Sequence, residues 1–139
     1  VATGRSDFPN QVNNSLGFPG IFRGTLDVRA HTITDEMCFA AAKAMSDHVG
    51  DKLDAEHILP DMDDWEVFPR EAAAVAMKAI EQGLARITVT YEQELENAKK
   101  IIKRSRDLTK MMMEKDFIHE PPSDGEEYSI DIETIKSAY

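Results

Sequence analysis

Residues 1 to 24 read VATGRSDFPNQVNNSLGFPGIFRG, and the way this stretch is read decides the fold. It opens on a short strand-like stub and runs into a loop with three asparagines, two prolines and a Gly-Phe-Pro-Gly turn. From Pro19, a residue tolerated in a first helical turn, Ile21, Phe22, Leu26 and Val28 supply an apolar stripe that predicts a first helix ending near Arg29. Asn13 and Asn14 lie just ahead of it, where a carboxamide can cap free backbone N–H groups. One cap accounts for one asparagine. The second leaves an uncharged group with two donors and an acceptor beside a helix start, suited to orienting a carboxylate or another amide.

Working outward, the following segments are mostly helical. Thr34 can cap a helix over 35–48, with Asp35 and Glu36 at the positive end of its dipole and Met37, Ala40, Ala41, Ala44 and Met45 at helical spacing. Residues 50–68 hold seven acidic side chains and read as a surface connection tacked to the core by Ile58, Leu59, Trp65 and Phe68. Pro69 can open a third helix whose narrow face of Ala72, Val75, Ala76, Ala79 and Ile80 implies close packing, with Gly83 as its stop. Ile87–Val89 is at most a short strand. Thr90 with Gln93 forms a capping box for the longest helix, 91–116. The prolines and charges beyond it predict a loose acidic tail over 121–139, with Ser129–Ile135 as an edge strand or short helix.

Composition narrows the function. At 139 residues, with 42% hydrophobic and 30% charged residues, the chain suits one soluble domain or a piece of one. No run of 18 apolar residues could span a bilayer, and a net charge of −10 opposes nucleic acid and anionic lipid, so neither nucleic acid nor membrane is expected as a partner. A single cysteine, Cys38, and an opening stretch without a basic and apolar leader fit a reducing cytoplasm.

Familiar catalytic motifs are missing. The sequence has no GxGxxG, GxxxxGK[ST], HExxH or GxSxG. Asp61, Asp63 and Asp64 begin like a calcium loop, yet Glu66 stands where glycine is needed and Ala72 where the bidentate glutamate belongs. His31, His48, His57 and His119 lack ligand spacing with Cys38 or with one another, so no metal-ligating residue is expected within the chain. Asn13-Asn14-Ser15 matches a glycosylation sequon, a signal common by chance.

The run ATGRSDFPNQVNNSLGFPGIFRGTLDVRA, followed by TDEMCFAAAKAMSD and ILPDMDD, resembles the C-terminal portion of malic enzymes, over residues 1 to about 85. The resemblance implies an α/β fold: the C-terminal part of a Rossmann-type, doubly wound NAD(P)-binding domain, starting at one of its last strands and mostly helical in this segment. Residues 86–120 would then be a long amphipathic helical extension. It implies a decarboxylating oxidoreductase that converts malate to pyruvate and carbon dioxide with NAD or NADP and a Mg or Mn ion. Asn14 would meet the malate carboxylate, and Asn13 and Gly4 the cofactor. The general-base lysine, general-acid tyrosine and metal ligands of the family match no position here, so no catalytic residue is assigned. Partners would be the rest of the malic enzyme polypeptide and a second copy, as a homodimer or higher homo-oligomer. A rival reading treats the chain as a non-catalytic helical assembly module, in which Tyr91, Leu95, Ala98, Ile102 and Met112 follow heptad-like spacing interrupted by Ser105 and Thr109.

Overall fold

A computed structural model describes residues 1–119. The tail expected over 121–139 lies outside the described residues. Four α-helices follow in order: α1 (Asn14–Asp27), α2 (Asp35–Val49), α3 (Val67–Glu81) and α4 (Tyr91–Glu114). The chain divides into two compact units, Val1–Arg104 and a second that begins at Ser105.

In the first unit α3 is central, with α1 and α2 both packed on it. Val28, Met37, Ala41, Val75, Ala76 and Ala79 form the buried core, edged by Ile21, Ile80, Leu84 and Val89. The alanine-rich face of α3 is buried as its spacing predicts, and small side chains let both neighbours approach closely. Among the described residues the only sheet-like feature is an isolated parallel bridge between Thr3 and Gln11. Ile87–Val89 forms no strand. Arg86 and Ile87 instead donate their backbone N–H groups to the Val28 carbonyl at 3.0 and 3.1 Å, tying the exit of α3 to the exit of α1.

Helix α1 ends near Arg29 as expected but departs from expectation at its start and in part of its packed face. It begins five residues before Pro19, because the Asn13 side chain accepts from the Ser15 N–H at 3.0 Å and Leu16 is buried beneath the first turn. Pro19 lies inside the helix, where the hydrogen bond it cannot make falls on the exposed Ser15 carbonyl. Of the expected apolar stripe only Val28 is buried, while Phe22 and Leu26 are exposed. The packed face is Leu16, Gly20, Gly24 and Thr25. A methyl on Gly20 would strike the Glu71 side chain, and one on Gly24 would strike the Ala72 carbonyl. Backbone approach, rather than side-chain bulk, fixes this crossing.

Helices α1 and α3 close with one device. Arg29, at φ 51°, takes the left-handed conformation that closes α1, with Arg29 N–H bonded to Leu26 at 3.1 Å and Ala30 N–H to Thr25 at 2.9 Å. Gly83 closes α3 the same way through Ile80 and Ala79. At the start of α2 the Thr34 side chain accepts from Met37 N–H at 3.3 Å. The α4 capping box is complete: Thr90 N–H reaches the Gln93 amide oxygen at 2.9 Å and Gln93 N–H reaches the Thr90 hydroxyl at 3.2 Å.

The first turns of α4 bury Glu94 and Ala98, with Leu95 and Ile102 half-buried. Glu94 lies against Asp27, which Arg23 holds in a two-point ion pair and Asn97 contacts at 3.1 Å. Burial, and then the hydrogen bond and charge of Asp27, push the Glu94 carboxyl well above the usual carboxylate range. In the second unit Asp116, at φ 58°, closes α4 with the same left-handed turn. No helix among the described residues is long and apolar enough to cross a membrane.

Candidate functional site

The loop of residues 1–13 is held against the 53–66 connection by one side chain. Asn10 sits at φ 58°, a conformation asparagine tolerates better than most residues, and is buried. Its amide donates to the carbonyls of Val1 at 3.1 Å and Ala55 at 2.8 Å, while its oxygen accepts from Ile58 N–H at 2.8 Å. All three polar capacities are used to pin two loops together. The bridge then aligns Thr3 with Gln11, with Val12 N–H on the Thr3 carbonyl at 2.8 Å.

These contacts deliver the chain to α1. Asn13 is the N-cap, and its oxygen is occupied by Ser15 N–H. Asn14 is the first helical residue; its side chain is exposed and has no hydrogen-bond partner among the described residues. Gly4 lies beside Val12, and a Cβ there would come no nearer than 3.9 Å to the Val12 carbonyl oxygen, so nothing among the described residues demands a glycine. Gly4 thus neighbours the strand-like segment that leads through Asn13 to Asn14, and all three residues are exposed. Nearby, Arg5 grips Asp7 through two bonds of 2.8 and 2.5 Å and lies 5.0 Å from the Phe8 ring centre. The guanidinium holds the Asp7 carboxyl below its ordinary range.

A cleft of about 260 Å³ opens beside this loop, lined by Phe8, Asn10, Gln11, His57 and Met62 among others. Asp54 organises its far wall by accepting from Glu56 N–H at 2.7 Å and His57 N–H at 2.9 Å. His48 meets Asp64 at 2.8 Å; burial raises the Asp64 carboxyl, but the hydrogen bond and charge of His48, the Glu66 N–H and the charge of Lys52 together leave a net lowering. Asn10 is the residue that sequence reasoning missed. Its only local signal is a Pro-Asn pair suited to a left-handed turn, and the 48-residue reach to Ile58 has no sequence signature.

Among the described residues no three histidine, cysteine, aspartate or glutamate groups converge on a common point, so this segment offers no cage for a divalent ion. The Asp61, Asp63 and Asp64 cluster instead shapes a turn, with Asp64 N–H on the Asp61 carbonyl at 3.0 Å.

Comparison with known proteins identifies the fold. Residues 1–82 match the family model for the malic enzyme NAD binding domain. The chain is 54% identical over 102 residues to the bifunctional malic/malolactic enzyme of Bacillus subtilis (strain 168), covering 73% of this chain and 25% of that protein. It is 51% identical over 87 residues to the NAD-dependent malic enzyme of Geobacillus stearothermophilus, covering 62% of this chain and 18% of that protein. Among solved structures, the Entamoeba histolytica malic enzyme superposes with a TM-score of 0.83 at 45% identity, covering 88% of this chain and 26% of that one. The Pyrococcus horikoshii Ot3 malic enzyme gives 0.77 at 49% identity, covering 83% and 26%. The chain therefore spans between 18% and 26% of the length of these relatives, and the wider of the structural matches reaches beyond residues 1–85. By the family match over most of its length, the chain belongs to the malic enzyme family.

Proposed function

We propose that this chain contributes the substrate-positioning end of an NAD- or NADP-dependent enzyme that oxidatively decarboxylates malate to pyruvate and carbon dioxide. The observation that carries the reading is the division of labour in the asparagine pair. Asn13 is committed to capping α1, whereas Asn14, one residue on, projects an unengaged amide from the helix start. An amide in that position can donate two hydrogen bonds to a substrate carboxylate without adding a charge that would shift neighbouring groups. The positive end of α1 favours the same anion. Asn13 keeps its amide nitrogen without a partner among the described residues, and together with the open flank of Gly4 this suits a dinucleotide carboxamide approaching from the loop side.

The dinucleotide, when bound, accepts the hydride from malate. The Mg or Mn ion of this reading draws its ligands from outside the described residues, and no step through it follows from this segment. The asparagines hold and orient; they move no proton. The reading also includes a homo-oligomer in the cytoplasm, assembled with the remainder of the malic enzyme polypeptide.

The test is kinetic. In the complete enzyme Asn14→Ala should remove hydrogen bonds to a charged group, each worth about 1.5–3 kcal/mol, and lower kcat/KM for malate roughly 10- to 150-fold with little change in thermal midpoint. Asn13→Ala should cost about 1 kcal/mol of stability by removing the cap, and raise KM for the dinucleotide more than for malate. Wild-type kinetics in both variants would refute the binding role of this loop.

A further inference from the structure

The start of α4 meets the rest of the first unit through side chains. Among the described residues no Cα of α4 comes within 8 Å of a Cα in α1, α2 or α3, so no close crossing of the kind made at Gly20 and Gly24 holds it. Its apolar contribution is small: Ala98 is buried, and Leu95 and Ile102 are half-buried. What reaches α1 is polar. Asn97 donates to Asp27 at 3.1 Å, and Glu94, 2% exposed, is in hydrogen-bond contact with the same Asp27. Arg23, one turn earlier on α1, holds both oxygens of Asp27. Two ionised carboxyls offer only acceptors and repel each other, so a bond between them requires that one keep its proton. Asp27 is the anion of the Arg23 pair, which leaves the proton to Glu94. No donor reaches the buried Oε1 of Glu94, a position costly for a carboxylate, whereas an acid can itself donate to Asp27.

We propose that a shared proton latches the start of α4 to the end of α1: protonated Glu94 donates to Asp27 while Arg23 and Asn97 hold that carboxylate in place, and loss of the proton frees the first turns of α4. The charges that act on Glu94 come from α1 alone, Asp27 opposing its ionisation and Arg23 favouring it. A glutamate in the first turn of a helix is ordinarily favoured as an anion by the dipole. Here burial and Asp27 prevail, and the carboxyl titrates at about 8 instead of 4.5. Docking therefore takes up a proton between those values, so the latch is complete below about pH 4.5 and is released as pH rises through about 8. Once released, the helix start is left to its own propensity and frays. Glu71, the other buried carboxyl with a raised pKa, sits against Gly20 at the α1–α3 crossing, so a measurement local to α4 distinguishes the two. The latch is independent of the roles given to Asn13 and Asn14.

Amide hydrogen exchange of the complete polypeptide, read on peptides spanning residues 94–102 and corrected for the intrinsic pH dependence of exchange, tests the latch. Protection there should fall roughly 10- to 90-fold between pH 6 and pH 9. Glu94→Gln keeps a donor toward Asp27 and cannot ionise, so its protection should stay flat over that interval while peptides from α3 respond as in the wild type. Asp27→Asn leaves Arg23 to pair with ionised Glu94 and should abolish the fall as well, which keeps the test decisive if the glutamine variant does not fold. Wild-type protection that is flat with pH, or a fall that persists unchanged in either variant, would overturn the proposal.

Discussion

Glu71 should make this fold sensitive to alkali, and its removal should cure that sensitivity. The side chain is fully buried at the α1–α3 crossing, wedged against Gly20, and neither carboxyl oxygen has a hydrogen-bond partner. Desolvation alone raises its pKa from 4.5 to about 8. In the unfolded chain the carboxyl ionises near 4.5, but in the folded chain it stays protonated to about 8, so folding takes up a proton between those values. The stability this group allows is therefore fully present below pH 4.5 and is lost as pH rises to about 8. Linkage gives a penalty of about 0.8 kcal/mol at pH 5 and about 4 kcal/mol at pH 8, a difference of about 3.5 kcal/mol. That is an upper bound, because slight opening of the crossing would admit water to the carboxylate. Glu71→Gln keeps the shape and a buried polar group but cannot ionise. Urea unfolding followed by helical circular dichroism at pH 5 and pH 8 should then show the variant gaining about 2–3.5 kcal/mol on the wild type over that interval. A difference that stays flat with pH would mean that Glu71 is ionised and solvated in the fold, and the burial argument would fail.

Gly24→Ala should destabilise by about 1–2 kcal/mol, since overpacking against the rigid Ala72 carbonyl outweighs the roughly 1 kcal/mol gained in helix propensity. Gly17→Ala meets only Ile21 Cδ1 at 3.8 Å and should instead stabilise by up to about 1 kcal/mol, so thermal midpoints of the pair in the same background separate packing from propensity. Asn10→Ala should cost about 2–4 kcal/mol by removing three hydrogen bonds and straining φ 58°, with Asn10→Gly about 1 kcal/mol milder. Limited proteolysis in residues 53–62 should accelerate in both, and an unaltered cleavage rate would contradict the pinning role.

What could be read from the sequence was local, and what could not was tertiary. The caps of α2 and α4 are legible because Thr34 and the Thr90–Gln93 pair act within three residues of themselves. Gly83 announces the end of α3, but Arg29 makes the same left-handed turn at the end of α1 with a residue that carries no such signal. There the neighbouring helix and the backbone bonds of the turn impose the conformation against residue preference. The stripe on α1 is divided for a related reason: Ile21 and Val28 meet the core while Phe22 and Leu26 face solvent. Hydrophobic periodicity locates large apolar residues, yet the face that packs is built on Gly20 and Gly24, whose contribution is the absence of a side chain.

The divided stripe and the asparagine pair are two views of one helix. The packed side of α1 carries Leu16, Ile21 and two glycines, while Phe18, Phe22 and Leu26 stand on the opposite ridge, beginning one turn after Asn14. Phe18, Phe22 and Leu26 recur at four-residue spacing on one side of α1 while Gly20 and Gly24 clamp the reverse face. Asn14 heads that ridge at the exposed start of the helix. On the reading proposed above, its amide and the positive end of α1 act together, and charge-assisted bonds to a carboxylate are strong enough to hold the substrate in register.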